Sequence, residues 1–341
     1  MEYYIVTLVT VAAIETILVL GFNIQFGFAG VLNFSYITFV AIGAYTTAVT
    51  TLGSHQTQTF PQSYILGLSL PWPVALLLSG AVCVVMALLL SFLVMQRLRS
   101  DYLAISLIGV GEIIWTVAGN QTSLVNGWTG LANIPRPYSN LGIASGGLAG
   151  DLVFMAIGIV VAVGTFFAAS RLYKSPLGRV LRAVREDGVI AETFGRRVLA
   201  ARLTAFCIGS FIAGVGGGLL AMNTGAYNPN AFLPLETFLI LAALIVGGTS
   251  SPFGAVVGAI VVFIVISEGT RYLPSSLNPD LVGGLRQATI GLLLIVTLRF
   301  RPQGLFPEPN LRLYRRLRSR MALARPLAPP APGPVGVGDS R

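Results

Sequence analysis

Ionisable residues are scarce in this 341-residue chain: 10% are charged, and it holds one histidine and two cysteines. A soluble domain carries about 25% charged residues, so an ordinary water-soluble fold is excluded. Chemistry is equally poorly supplied. There is no GxxxxGK[ST] loop, no HExxH helix and no nucleophile elbow, and His, Cys or paired carboxylates nowhere cluster. That leaves little for membrane-enzyme chemistry to run on, and a membrane enzyme ranks third among the readings. Cys83 and Cys207 both fall inside apolar runs without metal-ligand spacing, so neither a structural disulfide nor a zinc site is implied. The lone histidine, His55, sits in a polar loop and reads as solvated.

What the chain has instead is apolar length. It is 54% hydrophobic, and runs long enough to cross a hydrocarbon core of about 30 Å, which takes about 20 helical residues, recur along it. The pattern predicts spans near Tyr4 to Phe22, Val31 to Thr51, Val74 to Met95, Tyr102 to Gly119, Leu152 to Ala169 and Leu203 to Met222. A Gly-interrupted pair follows near Phe232 to Gly247 and Phe253 to Ser267, then a last span near Leu281 to Leu298. The expected fold class is all-α: a polytopic membrane helix bundle of about eight transmembrane segments, some broken. Whether 232–267 crosses fully or re-enters stays open. The first run lacks a basic flank before it and a small-residue processing site after it, so it is expected to remain as a span.

Charge orients the bundle. If the segment after Ala169 is cytoplasmic, alternation puts Arg97, Arg99, Arg171 to Arg202 and everything after Leu298 on that side. Arg136, Arg271 and Arg286 fall outside or near the outer face. This is the positive-inside pattern. The net charge of +9 is then accounted for by topology and anionic lipid, and no nucleic-acid partner is expected. Residues 1–309 read as the transmembrane domain. Residues 310–341 divide into an Arg-rich juxtamembrane stretch and a Pro, Ala and Gly-rich end that cannot bury apolar surface, for which disorder is expected.

One charged, amphipathic segment, residues 175–197 (SPLGRVLRAVREDGVIAETFGRR), interrupts the apolar runs. Ser175 can cap it and Pro176 suits its first turn. Leu177, Val180, Leu181 and Val184 fall on one stripe, while Arg179, Arg182, Arg185 and Glu186 face away. A helix docked on a soluble partner and an interfacial helix with its arginines among headgroups fit this pattern equally.

Glycines supply a second signal. Gly209, Ala213 and Gly217 share a helix face at four-residue spacing, as do Gly214 and Gly218, and Gly254 and Gly258 repeat it. Small residues at that spacing let helix backbones approach closely. Polar interruptions are the third. Asn23 to Asn33 (NIQFGFAGVLN) and Gly247 to Gly254 (GGTSSPFG) break apolar runs, which a membrane tolerates only where protein or a water-filled cavity satisfies the backbone. A solute pathway and an ordinary connecting turn are both open readings. Ionisable residues within spans cost at least about 2.5 kcal/mol at the bilayer centre. Glu15 and Glu112 lie well inside, and Glu236 and Glu268 near ends. Asn23, Gln25, Asn33, Ser35 and Glu112 are the candidates for a translocation path.

Six stretches in order carry a resemblance: GFNIQFGFAGVLNFSYITFVAIGAY from Gly21, LRSDYLAISLIGVGEII from Leu98 and NGWTGLANIPRP from Asn126, then SPLGRVLRAVREDGVIAETFG from Ser175, ILAALIVGGTSSPFGAVVGA from Ile240 and FRPQGLF from Phe300. Across Gly21 to Phe306 the chain resembles the LivM-type permease subunit of branched-chain amino acid ATP-binding-cassette importers. That resemblance implies that 175–197 is a cytoplasmic coupling region inserted into a cleft of an ATPase, with Arg182, Arg185, Glu186, Asp187, Glu192 and Gly195 in the coupling motif. It implies a second, LivH-like permease subunit, two LivG/LivF-like ATPase subunits and an extracytoplasmic solute-binding protein, with the outer loop Gly119 to Gly150 part of the docking surface. ATP and magnesium would be bound by the ATPases; no cofactor or metal is expected on this chain. The implied location is the bacterial inner membrane, and the solutes of such permeases are aliphatic or other amino acids, amides or urea. Arg196 and Arg197 depart from the neutral or apolar residues more usual in relatives, and Thr193 stands where Ala is frequent. The alternative function is a self-sufficient ion-coupled carrier or channel for a small polar solute, with Glu15 or Glu112 moving protons or selecting ions.

Overall fold

The computed structural model describes residues 2–53, 62–95, 100–137, 147–233, 235–266, 279–301 and 304–306. His55, Arg97, Arg99, Glu268, Arg271 and the whole tail from Asn310 lie outside the described residues.

Long apolar helices dominate. They are α1 (Glu2–Phe22), continued by a π-helical turn Asn23–Phe28, α2 (Tyr36–Thr51), α3 (Trp72–Leu90), continued by a π turn Ser91–Met95, and α4 (Ser100–Asn120). A short α5 (Thr122–Val125) and a two-residue strand β1 (Leu131–Ala132) precede α6 (Leu148–Lys174). Then come α7 (Pro176–Glu186), α8 (Gly188–Thr193), α9 (Val198–Thr224), β2 (Ala226–Tyr227), α10 (Leu235–Gly247), α11 (Pro252–Ala259), a π stretch Ile260–Ile266 and α12 (Pro279–Phe300). Strand β2 pairs antiparallel with β1.

The all-α polytopic class is therefore the observed one. Among the described residues six helices are long and apolar enough to cross a membrane, against the expected eight or so spans. At 27 residues, α6 and α9 extend about 40 Å, more than a hydrocarbon core requires. The apolar helix α2 has 16 residues and Pro252–Phe263 is likewise short. These short helices adjoin the polar interruptions foreseen in the sequence, which take up chain that would otherwise lengthen them.

Helix α9 runs through the centre, packed by α1, α2 and α3. Its small residues set the approach. A methyl group on Gly217 would lie 2.0 Å from the Val40 carbonyl oxygen, and one on Gly218 2.4 Å from Thr47 Oγ1. Gly209 abuts Gln25, and Ala213 is wholly buried. In the α10–α11 hairpin, a methyl on Gly258 would meet the Ala243 carbonyl at 2.0 Å, and one on Gly254 the Gly247 carbonyl at 2.7 Å. Close backbone contact replaces the hydrophobic attraction that lipid cannot provide. Outward, large apolar side chains such as Val85, Leu89, Phe92, Val160 and Phe167 are exposed, which suits a bundle whose surroundings are hydrocarbon.

Candidate functional site

The polar helices α7 and α8 are built by their caps. Ser175 Oγ accepts from the Gly178 N–H at 3.1 Å, with Pro176 in the first turn. Asp187, extended at φ −155°, breaks the segment in two, and its carboxylate accepts from the Ile190 N–H at 3.0 Å to start α8. Gly195, at φ +72°, ends α8 in the left-handed region that favours glycine. Leu181 and Val184 are buried beneath α7, with Leu177 and Val180 partly so.

Two arginines depart from the expected outward face. Arg182 stacks its guanidinium 4.2 Å from the centroid of the Tyr173 ring and donates to the Gly178 carbonyl at 3.3 Å. Arg185 Nη1 donates to the Gly27 carbonyl oxygen at the end of the π turn. A regular amphipathic projection sends both to water. The Gly27 carbonyl, left without a helical partner, draws Arg185 back, and the Tyr173 ring and carbonyl at the end of α6, the latter 3.4 Å from Arg182 Nη2, hold Arg182.

What α7, α8 and the residues just after them leave exposed is Arg179, Glu186, Asp187, Glu192, Arg196 and Arg197 around three apolar side chains. Val189 is 74% exposed, Ile190 55% and Phe194 80%. Exposed apolar residues inside a charged rim have the composition of a protein-docking patch. The sequence reading passed over these three because a six-residue helix is too short to display a period. Their only signal was apolar residues within an otherwise charged stretch.

The path candidates occupy packed protein, apart from one. Gln25 Nε2 donates to the Phe206 carbonyl at 2.9 Å and Ser210 Oγ at 3.1 Å, both on α9. Asn33 Nδ2 donates to Gln25 Oε1 at 3.0 Å, while Asn33 Oδ1 accepts from the Ser35 N–H and hydroxyl at 3.1 and 2.8 Å. Asn23 Oδ1 accepts from the Ser250 N–H at 3.1 Å, and Asn23 Nδ2 has no partner among the described residues. All four side chains are buried. This network binds the broken end of α1 to α9, to the start of α2 and to the α10–α11 turn. Ser250 takes φ +71° there, a conformation costly for a residue with a side chain and held by its bonds to Asn23 and Gly27.

Glu112 differs. It is exposed on α4, and its neighbour Gly111 packs on Ser35 and Thr38. With it on the outward side stand Tyr102, Ile105, Gly109, Ile113 and Thr116, and nothing lies within 4 Å of where a methyl on Gly109 would be.

The far end is a separate polar assembly. Arg136 Nη1 pairs with Asp151 Oδ1 at 2.7 Å and its Nη2 donates to the Asn223 carbonyl at 3.1 Å. Trp115 Nε1 donates to the Pro229 carbonyl at 3.0 Å and its ring meets Trp128 edge-on. Burial first, then the charge of Glu15, then Tyr45 and the charge of Glu236, push the Tyr227 phenol above its ordinary range. Glu15 itself is half-buried.

The sequence profile described as "Branched-chain amino acid transport system / permease component" matches residues 4–298. The high-affinity branched-chain amino acid transport system permease protein LivM of Escherichia coli (strain K12) is 32% identical over 329 residues, 90% of this chain and 72% of that protein. The probable branched-chain amino acid transport permease protein LivM of Methanocaldococcus jannaschii is 27% identical over 312 residues, 85% of this chain and 89% of its own length. The guanosine ABC transporter permease protein NupQ of Bacillus subtilis (strain 168) is 26% identical over 243 residues, 68% of this chain and 71% of its own. No solved structure matches.

Proposed function

The chain belongs to the family of branched-chain amino acid transport permease components, a multi-pass membrane subunit of an ATP-binding-cassette importer, and on that premise we propose how it works. It carries branched-chain or related small amino acids, paired with a second permease chain and driven by two ATPase subunits that dock on α7 and α8. The observation that carries this reading is the exposed trio Val189, Ile190 and Phe194 inside its charged rim. A membrane bundle gains nothing from leaving three apolar side chains in water unless a partner covers them. Glu186, Asp187, Glu192 and Gly195 frame that contact; Arg182 and Arg185 support it from behind.

The ATPases bind ATP and magnesium; this chain binds neither and makes or breaks no bond. Its part is mechanical. Closure of the ATPases moves α7 and α8, and the helices attached to them exchange one access state for the other. Small residues packed backbone to backbone leave little room for bending within α9 and the α10–α11 hairpin, which favours movement as rigid bodies. The solute passes along the outward face of α4 at Glu112, where a charged side chain in lipid is costly unless water or a second permease covers it. Asn23, Gln25, Asn33 and Ser35 form the wall behind that face, through Ser35 and Gly111. An extracytoplasmic binding protein docks at the opposite end, on the assembly around Arg136 and Trp128.

Reconstitution tests this. Phe194→Asp is expected to strip the ATPases from the purified assembly and abolish leucine uptake into vesicles, while the permease keeps its elution volume. Full uptake with the ATPases retained sinks the docking reading, and uptake by this chain alone, driven by an ion gradient, would favour a carrier instead.

A further inference from the structure

We propose that the carbonyl oxygen of Gly27 is the joint through which motion of α7 enters the bundle, with Arg185 as the positioning residue that holds it. The inference rests on the docking role of α7 and α8 and adds the residue-level connection behind it.

Helix ends leave carbonyl groups without helical partners. At the end of α1 the π turn changes the pattern of pairing: the Gly30 N–H donates to Phe26 and the Val31 N–H to Gln25, both at 3.0 Å. The Gly27 oxygen is left pointing out of the helix, at the negative end of its dipole. It accepts from two side chains of different elements, Arg185 Nη1 on α7 and Ser250 Oγ on the α10–α11 turn.

No side chain could occupy residue 27. A methyl group there would lie 1.9 Å from Asn23 Oδ1 and 2.8 Å from the Ser250 nitrogen, so the Asn23–Ser250 hydrogen bond crosses directly over the glycine. Gly30, at φ +70°, likewise admits the stem of Arg185: a methyl there would lie 2.9 Å from Arg185 Cγ and 3.4 Å from its Cα. Arg185 is thereby gripped along its stem as well as at its tip.

Beyond Gly27, the polar network carries displacement onward. Two residues earlier, Gln25 is bonded to Phe206 and Ser210 of the central helix α9. Through Asn33 and Ser35 it is also tied to the start of α2, against Gly111 of α4. A second contact backs the first: the Phe28 ring lies 5.5 Å from that of Tyr173, the ring beneath Arg182. Asn23 Nδ2, without a partner among the described residues, marks the network as incompletely satisfied there in this arrangement. A buried donor without a partner is costly, and a second arrangement that satisfied it would recover that cost.

The test uses the complete assembly of both permeases, ATPases and binding protein in vesicles, with uptake and ATP hydrolysis measured together. Arg185→Gln is expected to retain bound ATPases and to lower uptake per ATP hydrolysed. Arg185→Lys, which keeps the charge and one donor, is expected to restore part of that ratio. An unchanged ratio in Arg185→Gln, or a loss of uptake matched by loss of bound ATPase, overturns the joint. Should Arg185→Gln yield no folded permease, Arg185→Lys is read in its place: a lowered ratio supports the joint and a wild-type ratio overturns it. Failure of docking is scored separately by Phe194→Asp, since that variant reports ATPase retention and Arg185→Gln reports transmission.

Discussion

Gly43 of α2 and Gly214 of α9 meet backbone to backbone: a methyl group on Gly43 would lie 2.2 Å from the Gly214 carbonyl oxygen. Cys83 and Ser79 of α3 press on Gly214 from another side, at 2.7 and 2.8 Å from the corresponding position. Three helices therefore meet at one glycine, and the separation of α2 from α9 is set there by backbone rather than by side-chain filling.

Adding volume at this crossing is expected to cost more than the about 1–3 kcal/mol usual for overpacked cores, because backbone cannot swing aside as a side chain can. Gly214→Val should leave little monodisperse permease on size exclusion in detergent. Gly109→Ala on the open face of α4 should leave the chain folded. Equal yields of the two variants would contradict the packing assigned to α9.

Gln25 connects α1, α9 and Asn33, so Gln25→Leu leaves several buried groups unsatisfied. The expected loss is about 1–3 kcal/mol, tempered by the about 0.6 kcal/mol average measured for polar contacts within membranes. Thr16→Ala is the control, since among the described residues Thr16 Oγ1 bonds only to the Ala12 carbonyl of its own helix, at 2.7 Å. Thermal unfolding in detergent should fall further for Gln25→Leu; matching midpoints would remove the network from the account of stability.

The Arg136–Asp151 pair, with side chains 36% and 29% exposed, is expected to add little. Asp151→Asn should change unfolding free energy by about 0–1 kcal/mol, as exposed ion pairs do. A larger drop in the melting midpoint, surviving high salt, would mean that the Arg136 bond to Asn223 depends on the pair.

Glu112 is exposed on α4, where a charged side chain is costly in lipid, so Glu112→Leu should leave the isolated permease at least as stable as the wild type. Uptake by the assembled transporter should nevertheless fall, and Glu112→Gln should lose less than Glu112→Leu if hydrogen bonding suffices. Unaltered uptake in both variants would remove Glu112 from the solute path.

Much of this was legible beforehand. Apolar run length gave the helices, Ser175 and Pro176 marked where α7 begins, and four-residue spacing of small residues marked the faces of α9 that touch. Long-range partners were illegible. Gln25 and Phe206 are 181 positions apart, and no local pattern says that a buried amide will be satisfied by another helix rather than by a solute. Arg182 and Arg185 were misjudged in direction for the same reason: a helical projection knows the angle of a side chain and nothing of the Tyr173 ring or the Gly27 carbonyl on neighbouring helices. The division of 175–197 into two helices at Asp187 escaped notice because one aspartate serves as both terminator and cap.

The π turn at Asn23–Phe28 has a consequence for drift over generations. Such a turn closes hydrogen bonds five residues apart instead of four, so one residue more or fewer swings everything beyond it by about 100°. Gly27, Asn33 and Ser35 would then all point elsewhere. Descendants of this sequence should accept replacements between Gly21 and Tyr36 long before they accept an insertion or a deletion there.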